Sequence, residues 1–594
     1  MNDSAENEAL HSAKRGERDA AGWRSLRDAL WLVLGVVLPA AVTLGFVHRF
    51  GVNVPAHDEW NFMPTVAAFY GGGDWEPQVL EHYSEHRVVL LKLIILGLGR
   101  LTQLNVKVEM YLSALLMAVT ALLCWRLIRR TGWPPWAIVP VGWLLLSTAQ
   151  YENLLVGWQM AIPLMNAFAV LTVLLLSVAP ARIPVAIVAS VGATFSFASG
   201  MLVWPSGFCL LLARHRRLRP LVGWALAGIV TVVAYRIGYR GTQNVPEGYL
   251  LSILKQPKDA VKLFLALLGK CFGREDIRQS VVAGGVLLVL LAACTLVLWR
   301  WDRLRETDAP WAALLMFSAG SAFAIALGRA FAWKEFVGAS RYASVTIFVP
   351  VAAVMLAIRA GLVLWQNGPV ARRLVGACGG LLFVLGAYQA FRTAEIGWAN
   401  GAADQAMKER VIPCIVEYRT APAECLRNLY VADAEFVRRG AATLEQWGLG
   451  PFADASGTGL IRGHVEQVGG SAADGDTVTV RTGSTVLVVG WSLVGDFQSP
   501  GAVVMSVDGT WKAITARFLP RPDVGDYFHR QVPDCAWQFE LPTADLSPGK
   551  HRLEVLVLPQ GSSSLLPLPV VELDVLPAEG TGKAAALAGR LPPR

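Results

Sequence analysis

Apolar runs of membrane-spanning length recur through the first two-thirds of this chain, and no water-soluble fold buries so many of them. The first covers about 27–47 and follows a basic stretch carrying Lys14, Arg15, Arg18 and Arg24. A bilayer core takes about twenty apolar residues in a helix, and further runs of that order lie near 106–128, 134–150, 157–179, 183–198, 200–213, 220–238, 280–299, 310–328, 342–364 and 373–391. Composition agrees, because 54% of the residues are hydrophobic and only 16% are charged, outside the range of a soluble chain with an ordinary surface. The first run lacks an Ala-x-Ala cleavage site and is too long for a signal peptide, so it reads as a retained anchor.

Loop charge sets the parity of the spans. Ser199-Gly200 and Pro205 allow 183–213 to be one broken helix instead of two short ones. With two spans there, Arg126/Arg129/Arg130, Arg214/Arg216/Arg217/Arg219, Arg300/Arg303/Arg305 and Arg372/Arg373 fall on alternate loops, as the positive-inside bias requires. The expectation is a polytopic α-helical membrane protein of about eleven spans in a bacterial-type inner membrane. Residues 1–25 form its cytoplasmic basic tail, 26–391 the membrane domain, and the C-terminus lies on the periplasmic or extracellular side. The net charge of +8 then follows largely from this bias and calls for no nucleic-acid partner. Lys255, Lys258, Lys262, Lys270, Arg274, Arg278, Arg329, Lys334 and Arg341 fall outside, against the bias; contact with lipid headgroups explains such residues, and phosphate binding is the alternative for some.

After residue 392 the pattern turns soluble. A helical segment, 392–459, carries Cys414 and Cys425, which an oxidising compartment would join. From 460 to 577 short alternating runs such as Thr477–Arg481 and Thr485–Val489, separated by Asp508-Gly509 and Ser547-Pro548-Gly549, predict an all-β sandwich of immunoglobulin-like or carbohydrate-binding type. Residues 578–594, rich in Ala, Gly and Pro, predict a disordered tail.

The loop 48–105 is too long for a connector and concentrates ionisable residues. His57-Asp58-Glu59-Trp60 opens it. Asp58, and Glu59 second, are candidates for a general base acting on a hydroxyl at the membrane surface; capping of a helix that begins near Asn61 is the competing role. His82-Tyr83-Ser84-Glu85-His86 matches the inverted zinc-protease pattern H-x-x-E-H, with Glu152 as a conceivable third ligand. His86 and Arg87 instead suit a phosphate, with a salt bridge between Glu85 and Arg87 or another residue as the plainer role. The apolar segment Val88–Leu96 predicts a helix lying in the membrane interface.

Two further clusters belong to the same side. Gln150-Tyr151-Glu152-Asn153, with Trp158-Gln159 after it, offers an acid for a sugar hydroxyl or a divalent cation. Gly328-Arg329, Lys334-Glu335 and Ser340-Arg341-Tyr342 bound a short loop whose arginines could clamp a phosphate.

In the order and sidedness of these elements, roughly residues 26–391 resemble the GT-C class of membrane glycosyltransferases, which use polyprenyl-phosphate-linked sugars on the outer face of the membrane. The resemblance implies Asp58 as the base that deprotonates a glycan, lipid or protein acceptor. It implies Glu59 or Glu152, with Gln159 and Trp60, as groups orienting the sugar or a metal, and His86, Arg87, Arg329, Lys334, Arg341 and Tyr342 as the donor-phosphate site. Asp-Glu replaces the Asp-x-Asp of the metal-dependent oligosaccharyltransferases, so magnesium or manganese stays an open cofactor. The Phe195–Gly200 interruption is a candidate wall of a lipid or acceptor groove, or a tight turn between packed helices. A transporter or flippase for a lipid-linked glycan is the rival function, although acids gathered in outer loops, away from the midplane, speak for an enzyme; a zinc peptidase ranks below both.

Overall fold

The computed structural model describes residues 26–578 except 178–181, 215–217, 240–256, 273–275, 302–304, 331–332, 430–432, 454–460, 474–476, 496, 529, 561 and 563. The predicted basic tail 1–25, nearly all of the predicted disordered tail, and Arg216, Arg217, Lys255, Arg274 and Arg303 lie outside the described residues. Contacts divide the chain into two units. The first comprises residues 1–51, 74–97 and 107–402; the second comprises 52–73, 98–106 and 403–594.

Among the described residues, eight helices are long and apolar enough to cross a membrane. Seven precede residue 366: α1 (Leu26–Phe50), α2 (Val106–Arg130), α3 (Gly157–Leu176), α6 (Leu218–Arg236), α7 (Ile277–Trp301), α8 (Ala309–Arg329) and α9 (Phe348–Trp365). The eighth is α10 (Pro369–Val416). Two shorter apolar helices, α4 (Ile183–Thr194) and α5 (Ala198–Arg214), occupy the stretch expected to be two spans or one broken helix.

The run expected at 134–150 is not one helix. It folds as a 3-10 turn at Pro135–Ala137, a helix at Ile138–Leu145 and a second 3-10 turn at Thr148–Gln150. Pro135 fits the first turn, where no intrahelical donor is needed, and Leu146 leaves helical geometry at the far end. Gly142 lies so near α1 that an added Cβ would sit 1.5 Å from the Gly35 carbonyl oxygen. The run expected at 342–364 is likewise split into Tyr342–Val345 and α9.

The second unit contains two sheets. One has the order β2-β1-β4-β7, from β1 (Ile461–Val468), β2 (Ser471–Ala472), β4 (Thr485–Val494) and β7 (Ala536–Pro542). The other has the order β3-β10-β8-β5-β6, from β3 (Val478–Arg481), β5 (Ala502–Val507), β6 (Thr510–Thr515), β8 (Gly549–Leu558) and β10 (Val571–Leu576), and β9 (Leu566–Pro567) pairs with β8. Alternation buries one face of β3, β7 and β10, whereas β5 is buried along its whole length. Val465, Val488, Trp537 and Phe539 from the first sheet share one core with Val480, Met505, Leu553 and Leu573 from the second. The helical part of this unit is closed by a disulfide between Cys414 and Cys425, whose Cα atoms are 6.1 Å apart.

Candidate functional site

In the first unit the Tyr83–His86 segment is a two-residue hairpin. Tyr83 N donates to His86 O (2.7 Å) and His86 N donates to Tyr83 O (2.9 Å), and Ser84 takes a φ of 53°, a left-handed value uncommon for residues other than glycine. The turn carries Glu85, whose carboxylate pairs with Arg329 at the end of α8 and lies 3.6 Å from His86 Nε2. Burial raises the pKa of Glu85, but His86, Arg329 and a hydrogen bond from Ser84 outweigh it and hold the carboxyl down to about 2. His86 stacks on Phe197, with ring centroids 4.0 Å apart.

Arg87 is not presented for a phosphate. Its guanidinium donates to the carbonyl oxygens of Leu80 (2.7 Å), Ala234 (2.8 Å), Ile237 (3.1 Å) and Tyr235 (3.2 Å). The last three belong to the C-terminal end of α6, where carbonyls lack intrahelical partners and a cation is favoured. Tyr235 completes the join, its hydroxyl donating to Glu85 O (2.9 Å) and accepting from Arg87 N (2.9 Å). Of the partners left open for Glu85, Arg87 or another residue, the salt bridge is made with Arg329. His82, 2.8 Å from Tyr235 O through Nε2, sits on a hairpin and not on a helix, so the two histidines of H-x-x-E-H do not share the helix face that a zinc-protease signature requires.

A second acid–arginine pair lies between 150–153 and 340–344. Glu152 accepts from Ser340 N (3.1 Å), Arg341 N (3.3 Å) and Arg341 Nη1 (3.1 Å), and Glu152 N donates to Ser340 Oγ (3.1 Å). It thus satisfies backbone donors ahead of the Tyr342–Val345 turn while fixing the guanidinium. Behind it, fully buried Asn153 donates to Ser344 Oγ (2.6 Å) and Arg341 O (3.1 Å), Asn166 donates to Ser344 O (2.8 Å), and Ser344 Oγ donates to Gln150. Lys270 Nζ donates to Val337 O and Gly338 O. The loop that bears Arg329, Lys334 and Arg341 is thus held at Arg329 and again from Val337 to Arg341. Lys334 is exposed; Arg341 lies 5.4 Å from the ring of Tyr342, which is buried.

No family model, no curated protein and no solved structure matches this chain. The site has to be read from its own chemistry. Among the described residues no group of three or more His, Cys, Asp and Glu side chains could hold a metal ion. Glu85 is already bound by Arg329, and Glu152 by Arg341 and backbone donors, so this donor set does not fit a divalent cation.

Asp58, Glu59 and Trp60 belong to the second unit. Glu59 is buried and its Oε2 accepts from Ala56 N (2.6 Å), which makes it the hook of the turn His57–Phe62. That turn is a 3-10 helix entered through His57 at a φ of 53°. Trp60, expected to orient a sugar, is fully buried and abuts Gly440, where an added Cβ would lie 2.7 Å from the indole; it is core. Asp58 is half-buried. Gln159 is buried in the first turn of α3, and Trp158 beside it packs edge-on to Tyr83, with centroids 5.5 Å apart. Tyr235, Ser340 and Asn166 had not been singled out as site residues from the sequence. Asn166, a polar residue inside an apolar span, carries the one signal that marks such positions in advance.

Proposed function

We propose that this chain is a multi-pass membrane glycosyltransferase that moves a sugar from a polyprenyl-phosphate donor to a hydroxyl acceptor (glycan, lipid or protein) on the outer face of the membrane. The observation that carries the reading is the pair of arginines at the two ends of one short loop, Arg329 and Arg341, each fixed by a carboxylate in the unit that holds most of the apolar helices. Negative charge grows on the lipid phosphate as its bond to the sugar breaks. Prepositioned guanidinium groups stabilise that charge without reorganising during the reaction, and exposed Lys334 adds a further cation.

Asp58, which belongs to the second unit, keeps the general-base role on the strength of the sequence alone. Glu59 leaves the chemistry because its carboxylate closes the turn, and Arg87 leaves the phosphate site because it caps α6. The remaining parts of the proposal are eleven spans, with α4, α5 and the broken run 134–150 each counted as one, a cytoplasmic N-terminus, and a β-sandwich outside. The disulfide supports the last point, since such bonds persist in oxidising compartments.

The test uses full-length protein in nanodiscs with polyprenyl-phosphate sugars and candidate acceptors. Transfer should fall by at least about a hundredfold in Arg329→Gln and in Asp58→Asn, the loss expected of one charge-stabilising donor or one general base. Transfer unchanged in both variants would sink the assignment. Lipid scrambling without any transfer would move the protein to the flippase class.

A further inference from the structure

Four polar side chains of the first unit, Gln150, Asn153, Asn166 and Ser344, are gathered in a place where none is more than 5% exposed. They come from the turn Thr148–Gln150, the short helix Tyr151–Leu155, α3 and the turn Tyr342–Val345. Two of these elements belong to interrupted helices: one leaves helical geometry at Leu146, and the other breaks at Thr346 before α9 begins. The second break is fixed in place. Ser318 Oγ donates to Val345 O (3.1 Å) and Thr346 Oγ1 donates to Leu267 O (2.8 Å).

The hydrogen bonds of the cluster leave a surplus of acceptors. Ser344 Oγ donates to Gln150 Oε1, Gln150 Nε2 to Leu145 O (3.2 Å), and Asn153 Nδ2 to Ser344 Oγ (2.6 Å) and Arg341 O (3.1 Å). Asn166 Nδ2 donates to Ser344 O (2.8 Å). Among the described residues, no group donates in return to Asn153 Oδ1 or Asn166 Oδ1. Exchanging oxygen and nitrogen in either carboxamide does not cure this, because it would turn an acceptor toward Arg341 O or Ser344 O. A buried amide oxygen without a partner is costly, and native structures keep such atoms where an ion, a water or a function accounts for them. Each orphan oxygen shares its carboxamide with a nitrogen bound to Ser344, so both are held close to that residue. The carbonyl and hydroxyl oxygens of Ser344 each have a second lone pair.

We propose that Asn153 Oδ1 and Asn166 Oδ1, together with the oxygens of Ser344, bind a sodium ion. Carbonyl dipoles suffice to hold a monovalent cation, and oxygens freed where helices are interrupted hold such ions within apolar domains. The site uses none of the His, Cys, Asp or Glu side chains. A divalent ion would call for carboxylates, and the neighbouring Glu152 is committed to Arg341 and two backbone donors. Close packing around these side chains favours sodium over the larger potassium. Asn153 follows Glu152 in sequence and also holds Arg341 O, so a bound ion stiffens the mount of the Glu152–Arg341 pair. The inference is independent of the glycosyltransferase reading.

The experiment measures uptake of radioactive sodium by full-length protein in phosphatidylcholine nanodiscs, with choline chloride holding the ionic strength constant. Wild type should take up sodium saturably, and potassium chloride should displace it at least about tenfold less readily than sodium chloride. Asn166→Leu keeps the approximate shape of the side chain without its polar atoms and should weaken binding by about tenfold or more, as loss of a supporting group does at a metal site. Asn166→Asp guards against misfolding of the leucine variant, since a charged ligand should tighten binding by about tenfold. Replacing sodium by choline should also speed hydrogen exchange at Ser340 N and Arg341 N in wild type but not in Asn166→Leu. Absence of saturable uptake, displacement by potassium as ready as by sodium, full uptake in Asn166→Leu, or unchanged affinity in Asn166→Asp would each overturn the inference and leave the two amide oxygens to buried water.

Discussion

Replacing Glu85 with glutamine removes the charge that holds Arg329, and the size of the effect follows from the pair itself. Burial raises the Glu85 pKa, yet His86, Arg329 and Ser84 bring it from the ordinary 4.5 to about 2. At about 1.4 kcal/mol for each tenfold change in a protonation equilibrium, that drop corresponds to about 3 kcal/mol. Glu85 is 32% exposed and Arg329 18%, so solvent screening removes roughly half and leaves about 1.5 kcal/mol. A folded pKa below the unfolded one contributes stability in full above the unfolded value, near 4.5, and loses it as pH falls toward about 2. Denaturant unfolding in detergent micelles should therefore place Glu85→Gln about 1.5 kcal/mol below wild type near neutral pH. The gap should narrow below about pH 4.5 and close near pH 2. Arg329→Gln should lower stability with the same sign, and the double variant should lose less than the two singles combined, because each removes the same interaction. A gap that stays constant between about pH 7 and 3, or strict additivity, would refute the claim that this ion pair anchors the hairpin.

Three more outcomes follow from single contacts. Glu152→Ala leaves Ser340 N and Arg341 N without their acceptor, so hydrogen exchange at these two amides should accelerate by about fivefold, the equivalent of one lost capping interaction of about 1 kcal/mol; unchanged protection would contradict the capping role. Gly440→Leu forces a side chain into Trp60 and should destabilise the second unit by about 2 kcal/mol or more, read as a lowered midpoint of its unfolding. Reduction of Cys414–Cys425, which closes a separation of 11 residues, should cost about 2–3 kcal/mol; an identical thermal midpoint with and without reductant would dismiss the bond as a stabiliser.

What the sequence discloses here is what local chemistry encodes. Apolar runs such as 220–238 and 280–299 become α6 and α7 with bounds shifted by a few residues, because length and hydrophobicity suffice to specify a helix of that kind. The run at 134–150 does not, since its division depends on where the chain leaves helical geometry at Leu146 and on the close approach of Gly142 to Gly35. Partner choice is hidden for the same reason. Glu85 and Arg329 both stand out as charged residues near apolar runs, but they are 244 positions apart, so the sequence names Arg87 as a neighbour and leaves any other partner unspecified. Arg87 was unreadable as a cap because its acceptors are carbonyls about 150 positions away, and every residue offers a carbonyl. Glu59 and Asp58 show the limit most sharply. Both are acids in one turn, and only the fold reveals that Glu59 reaches back to Ala56 while Asp58 does not share that bond.

The same pairing that lends stability also sets the terms on which an anion could bind. An isolated guanidinium in a partly buried setting is costly, and a neighbouring carboxylate offsets that cost. A phosphate that engages Arg329 must either displace Glu85 or share its guanidinium, and it meets repulsion from the carboxylate in the second case. Glu85 thus supports the fold and competes with the ligand. Stability and anion affinity should accordingly respond to Glu85→Gln with opposite signs: the variant unfolds more easily near neutral pH yet binds polyprenyl phosphate more tightly. A purely structural salt bridge has no reason to produce that opposition, whereas a site that trades stability for function does. Lowered stability with unchanged lipid affinity would keep the pair as scaffold and remove Arg329 from the proposed phosphate site.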